Sequence, residues 1–133
     1  VLRALQENKI SRIGSDTDLQ VDVRGIAATN KNLKEEIAAG RVREDLYHRL
    51  SVIIINVPPL KERTEDIEDL ILYFTQEICT EMRITPKQFT PEAIERMKNY
   101  EWSGNIRELR NVVERLIILC NNVILPEDVE LYK

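Results

Sequence analysis

Apolar and polar positions change period along this chain, and the changes mark its elements. Val1, Leu2, Ala4 and Leu5 are spaced like the end of a helix. From Lys9 to Val23 apolar residues fall on both sides of a Gly14-Ser15-Asp16 turn signal: Ile10 and Ile13 before it, Leu19, Val21 and Val23 after it. That spacing predicts a β-hairpin. Gly25-Ile26-Ala27-Ala28-Thr29-Asn30 is a short apolar run ending in polar residues, the pattern of a buried parallel strand whose C-terminal end meets a ligand crevice. Asn32 with Glu35 forms a capping-box pattern, Gly40 closes a short helix, and a second helix is expected over 43–50. Val52-Ile53-Ile54-Ile55-Asn56-Val57 has four β-branched residues in a row and predicts a strand covered on both faces, ended by Pro58-Pro59.

Beyond residue 60 the period is helical. Ile67, Leu70, Ile71, Phe74, Ile78 and Met82 make one stripe over about five turns. Thr90-Pro91 starts another helix, with threonine as cap and proline in first position, and Ala93, Ile94 and Met97 facing inward. Asn105 and Glu108 form a further capping-box pattern ahead of a stripe of Leu109, Val112, Val113, Leu116, Ile117 and Cys120; a last turn of helix follows Pro126. The expected architecture is therefore α/β elements over 1–58 followed by an all-α bundle over 60–133.

Composition narrows the function classes. Net charge is -4 overall, with residues 1–50 at +1 and residues 51–133 at -5. An acidic balance argues against a dedicated nucleic-acid-binding domain, which carries a basic field. The charge changes near Pro58-Pro59, which fits a lobe boundary there. Cys79 and Cys120 sit in apolar helical patterns and read as small buried hydrophobes in a reducing cytoplasm. There is no C-x-x-C and no metal-ligand cluster, and His48 is the single histidine, read as a solvated helix residue. No run is long enough to span a membrane, and no signal peptide is expected.

Three segments carry a family likeness: Gly25 to Leu33, Gly40 to Leu50 (Gly-Arg-Val-Arg-Glu-Asp-Leu-Tyr-His-Arg-Leu) and Trp102 to Leu109 (Trp-Ser-Gly-Asn-Ile-Arg-Glu-Leu). Val57-Pro58-Pro59-Leu60-Lys61-Glu62-Arg63, followed by Asp66-Ile67, fits the same pattern. In this order and at these distances they resemble the central domain of sigma-54-dependent transcription activators of NtrC type, the bacterial enhancer-binding proteins, several of which are two-component response regulators. The likeness covers essentially the whole chain. It departs at Val42, where an aromatic is usual, at Ser103, where proline is usual, and at Gly14-Ser15, where two glycines are frequent.

The resemblance implies an AAA+ ATPase that assembles as a homo-oligomeric ring and uses ATP with Mg to remodel sigma-54 RNA polymerase at promoter DNA. On that template residues 1–58 are the C-terminal part of the α/β subdomain and residues 60–133 the helical lid. No G-x-x-x-x-G-K-S/T loop, paired-acid strand or Gly-Ala-Phe-Thr-Gly-Ala motif occurs in the chain. All three are expected upstream of Val1, in a longer protein of which this would be a piece. Promoter or enhancer DNA would be reached through other domains.

The same resemblance assigns roles. Asn30 matches sensor I; its amide donates and accepts, which suits orienting the attacking water. The bland alternative is a polar strand end or a cap. Arg43 and Arg49 match arginine fingers, which reach into a neighbour's ATP site. Their spacing of six puts them about 120° apart on a helix, so unequal roles are expected. Alternatively they are solvated arginines paired with Glu44 or Asp45. Arg107 matches sensor II: a cation in the first turn of a helix opposes the dipole but suits an incoming phosphate. The alternative pairs it with Glu101 or Glu108. Ile67 is carried over as a nucleotide contact. Trp102 reads as a core anchor of the lid. Lys9 and Arg12 lie on the hairpin, which matches an insertion facing the ring pore; a contact there with sigma factor or DNA and a solvated hairpin both remain open. Two other classes compete: a helix-turn-helix-like DNA reader over 86–133, opposed by the acidic balance, and an oligomerisation module without catalysis.

Overall fold

The computed structural model describes residues 9–15 and 17–133. The helix expected over Val1 to Gln6, and Asp16 of the turn, lie outside the described residues. The chain divides into two units, residues 1–56 and 57–133.

The first unit opens with the expected hairpin. Strands β1 (Lys9–Ser11) and β2 (Asp18–Gln20) pair antiparallel, with Ile10 opposite Leu19. Gly14 turns the corner at φ 81°, and the Ser15 N–H donates to the Arg12 carbonyl. Helix α1 (Leu33–Ala38) is capped by Asn32, whose Oδ1 accepts from the Lys34 N–H. Glu35 reaches back as the capping pattern requires, but to the Asn32 side-chain amide (2.7 Å) instead of its backbone. Gly40, at φ 71°, donates to the Ile37 carbonyl and ends the helix. Helix α2 (Glu44–Leu50) follows, and neither helix buries a residue fully.

Two expectations fail in this unit. Residues 25–30 and 52–57 form no strand, and among the described residues neither run has a ladder partner. Nor are they buried: Ile26 is 87% exposed and Ile55 81%. A β-branched run records a tendency to be strand, but the strand itself needs hydrogen-bonding neighbours on its edges and a layer over its faces.

All the fully buried residues of the described chain come from the second unit. It starts with a 3-10 turn (Leu60–Glu62) behind Pro59, with Leu60 buried. Helix α3 (Asp66–Met82) buries Ile67, Ile71, Phe74 and Ile78 of the expected stripe, and Cys79 beside them; Leu70 packs at its edge and Met82 is exposed. Thr75, also buried, satisfies its hydroxyl on the Ile71 carbonyl. The helix ends at Arg83 in the left-handed region (φ 57°), with the Ile84 N–H returning to the Cys79 carbonyl. This is the cap geometry that glycine usually supplies.

Helix α4 (Pro91–Lys98) begins as expected, the Thr90 hydroxyl accepting from the Ala93 N–H. Helix α5 (Asn105–Leu119) buries Leu109, Val112, Val113, Leu116 and Ile117, and Cys120 is its half-buried C-cap. Burial, and then the nearby Asp128 carboxylate, push the Cys120 thiol up. Helix α6 (Pro126–Tyr132) is capped by the Asp128 carboxylate on the Leu125 N–H. α3 packs on α5 and α4, and α6 on α4 and α5. The bundle is not purely helical: β3 (Gln88–Phe89) and β4 (Val123–Ile124) pair parallel, pinning the start of α4 to the segment before α6. Trp102 is the anchor expected, 1% exposed, with its indole N–H on the Met97 carbonyl.

Candidate functional site

The candidate residues fall into two groups, one in each unit. In the first, Asn30 is exposed and its side chain makes no hydrogen bond among the described residues. The cap of the next helix is Asn32, so the reading of Asn30 as that cap does not hold.

Arg43 is the N-cap residue of α2, with extended backbone, while Arg49 lies in the last turn. The expected 120° offset assumed that both ride on one helix; with Arg43 just outside it, that angle does not apply. Arg43 grips Asp45 through two bonds, Nε to Oδ1 at 3.1 Å and Nη2 to Oδ2 at 2.7 Å. These bonds hold the Asp45 carboxyl below the usual range, with the Leu46 N–H and the charge of Arg49 adding to the effect. Arg49 is exposed and makes no hydrogen bond or ion pair among the described residues. Glu44 faces His48 instead, at 3.7 Å. The two arginines thus differ: one is gripped by a neighbouring carboxylate and the other, though its charge is felt by Asp45, makes no direct bond among the described residues.

In the second unit Arg107 is the third residue of α5 and exposed. Both acids that could have neutralised it are committed elsewhere. Glu101 pairs with Lys61 at 3.5 Å, and the Glu108 carboxylate accepts from the Gly104 N–H at 2.9 Å. Arg63 pairs with Asp66, Arg96 with Glu130, Arg110 with Glu77, Glu81 and Glu114, and Arg115 with the Tyr132 carbonyl, whereas Arg83 makes no side-chain bond among the described residues. Arg107 has no such partner among the described residues. A guanidinium without a side-chain partner in a helix first turn adds positive charge there, as an incoming anion requires, although the Glu108 carboxylate already serves the Gly104 N–H.

Asn105 does not cap its own helix as its pattern suggested. Gly104 holds the N-cap position, and Glu108 supplies the side-chain bond there. Ile67 has no exposed surface, so its side chain belongs to the bundle core. Among the described residues no group of acids, histidines or cysteines is arranged to hold a metal, and no helix is long and apolar enough to cross a membrane.

Two families match the chain in series. Residues 1–56 match the sigma-54 interaction domain and residues 61–132 the AAA+ ATPase lid domain. The transcriptional regulatory protein ZraR of Klebsiella oxytoca is 48% identical over 127 residues, which are 96% of this chain and 29% of that protein. The nitrogen assimilation regulatory protein NtrX of Azorhizobium caulinodans is 52% identical over 120 residues, 90% of this chain and 26% of that protein. Among solved structures, NtrX from Brucella abortus in complex with ATP superposes with a TM-score of 0.86 at 39% identity, over 96% of this chain and 30% of that one. The chain spans under a third of the length of these relatives. With the lid match covering more than half of it and the interaction-domain match most of the remainder, the chain belongs to the NtrC-type sigma-54 activators, in the stretch that runs from the sigma-54 interaction domain into the AAA+ lid.

Proposed function

We propose that this chain serves as the second half of an ATP-hydrolysing AAA+ module that remodels sigma-54 RNA polymerase to activate transcription in the cytoplasm. Residues 1–58 supply sensor I and the arginine fingers, and residues 60–133 form the lid that carries sensor II. The observation that supports this reading best is Arg107, a cation left free in a helix first turn while its neighbours are paired. It would contact the phosphates of ATP bound with Mg. Asn30, with an unengaged amide, would orient the attacking water. Arg49 reaches the neighbouring subunit of the ring directly; Arg43 does so after leaving Asp45, an exposed pair that costs little to open. Ile67 supports the nucleotide wall from inside the bundle without touching the ligand. Promoter or enhancer DNA is engaged by other domains.

A phosphate-cradling loop is absent from the sequence, so the chain by itself is expected to hydrolyse no ATP. The test uses the complete activator. Arg43→Ala and Arg49→Ala should each lower ATP turnover by about 10³-fold, with ATP affinity nearly unchanged, because fingers act on the transition state in trans. Arg107→Ala should weaken nucleotide binding and lower turnover. Wild-type turnover in both finger variants would remove them from the site.

A further inference from the structure

The connection between α4 and α5 is more constrained than a loop requires. Trp102 and Asn105 both take positive φ, 45° and 53°, a region costly for residues with side chains and best tolerated, after glycine, by asparagine. At Asn105 this conformation makes a long-range bond: Oδ1 accepts from the backbone N–H of Leu60 at 2.7 Å, across 45 positions of sequence. Leu60 is fully buried and opens the 3-10 turn behind Pro59, which offers no side-chain cap. Its N–H would otherwise be an orphan donor. The other end of the amide, Nδ2, donates to the Ser103 carbonyl at 3.3 Å, which fixes the amide's orientation. The bond is not needed to cap α5, since Glu108 already serves the Gly104 N–H. Arg107 rides on the same first turn, two residues on.

We propose that Asn105 is a positioning residue for Arg107. The Asn105–Leu60 bond locks the first turn of α5 to the segment by which the chain enters the helical unit. A pull on Arg107 by nucleotide phosphates is then passed to the Leu60 backbone instead of being absorbed by the loop. This rests on the reading of Arg107 as the phosphate-sensing arginine.

The test compares Asn105→Gly, Arg107→Ala and the double variant in the complete activator. Glycine keeps the positive φ and removes the Oδ1 acceptor together with the longer Nδ2 bond to the Ser103 carbonyl, which Asn105→Asp also lacks. Asn105→Gly should lower ATP turnover about tenfold, the order of one lost buried hydrogen bond, with the KM for ATP within about twofold. In the Arg107→Ala background it should cause no further loss, because the two residues act as one unit. In the 133-residue chain, amide exchange at Leu60 should accelerate about tenfold in Asn105→Gly. It should stay near the native rate in Asn105→Asp, which retains an acceptor oxygen. Additive losses in the double variant, unchanged turnover in Asn105→Gly, or unchanged Leu60 exchange would overturn the proposal. If Arg107→Ala itself alters neither turnover nor affinity, the reading of Arg107 fails and this inference falls with it; additive losses beside an effective Arg107→Ala overturn the coupling alone.

Discussion

Replacing Leu109 by alanine tests whether the lid owes its shape to its own core. Leu109 sits in the first half of α5, two residues after Arg107, with no exposed surface and within the cluster that includes Ile67, Trp102 and Val113. The change removes roughly three carbon groups, about 2.4 kcal/mol of lost burial. The cavity left behind raises the cost to about 3–4 kcal/mol, because the neighbours relax only partly. In a unit of this size each kcal/mol lowers the melting temperature by about 4–8 °C, so a drop of roughly 12–30 °C is expected. Thermal unfolding of the chain followed by far-ultraviolet circular dichroism reads it, since the bundle supplies most of the helix. Leu131→Ala is the internal control: Leu131 is 70% exposed, and its loss should cost no more than about 0.5 kcal/mol. A Leu109→Ala shift below about 5 °C, or equal shifts in the two variants, would show that the described core does not hold the unit together.

Arg83 caps α3 at φ 57°; Arg83→Gly should stabilise the bundle by about 0.5–1 kcal/mol in denaturant titration, and no gain would argue against the left-handed cap. Glu36 accepts from Arg41 at 2.8 and 2.9 Å, which holds its carboxyl below the ordinary range. Its contribution is therefore present above the unfolded glutamate value and lost as pH falls through the depressed one. Carbon-detected NMR titration should find a lowered midpoint that rises in Arg41→Gln, and an identical midpoint in both would refute the pairing. Ile26, Val52, Ile53 and Ile55 are exposed in runs of high strand tendency, so the chain should self-associate through residues 1–58 by strand pairing. Light scattering at micromolar concentration should show more than a monomer, and a clean monomer with an ordered first half would contradict this.

The sequence made the helices of the bundle legible because each carries its own signals. Thr90-Pro91 states a start, and the 3.6-residue spacing of Ile67, Ile71, Phe74 and Ile78 states a buried face, with no reference to distant residues. Strands are different, since residues 52–57 have the composition of a strand without the partners that would make them one. β3 and β4 span two residues each, too short for any period to show. At the site, the chemistry of Arg107 was legible but its freedom was not. Glu101 and Glu108 are near enough in sequence to pair with it, and only the fold shows them taken by Lys61 and the Gly104 N–H. Asn105 was misread for a similar reason: a local capping pattern cannot reveal an acceptor aimed at an amide 45 residues away. Arg43 paired with Asp45, as the bland alternative allowed, whereas Arg49 did not.

The most direct measurement is ATP turnover by a hybrid activator. In it, residues 1–133 replace the matching stretch of the ZraR relative. If this chain carries a working sensor I, arginine fingers and lid, the hybrid will hydrolyse ATP, and Arg49→Ala within the grafted segment will lower turnover by about 10³-fold while leaving nucleotide binding in place. A hybrid that folds and assembles but turns over no ATP, or one whose turnover survives Arg49→Ala and Arg43→Ala together, would contradict the proposed role of this chain.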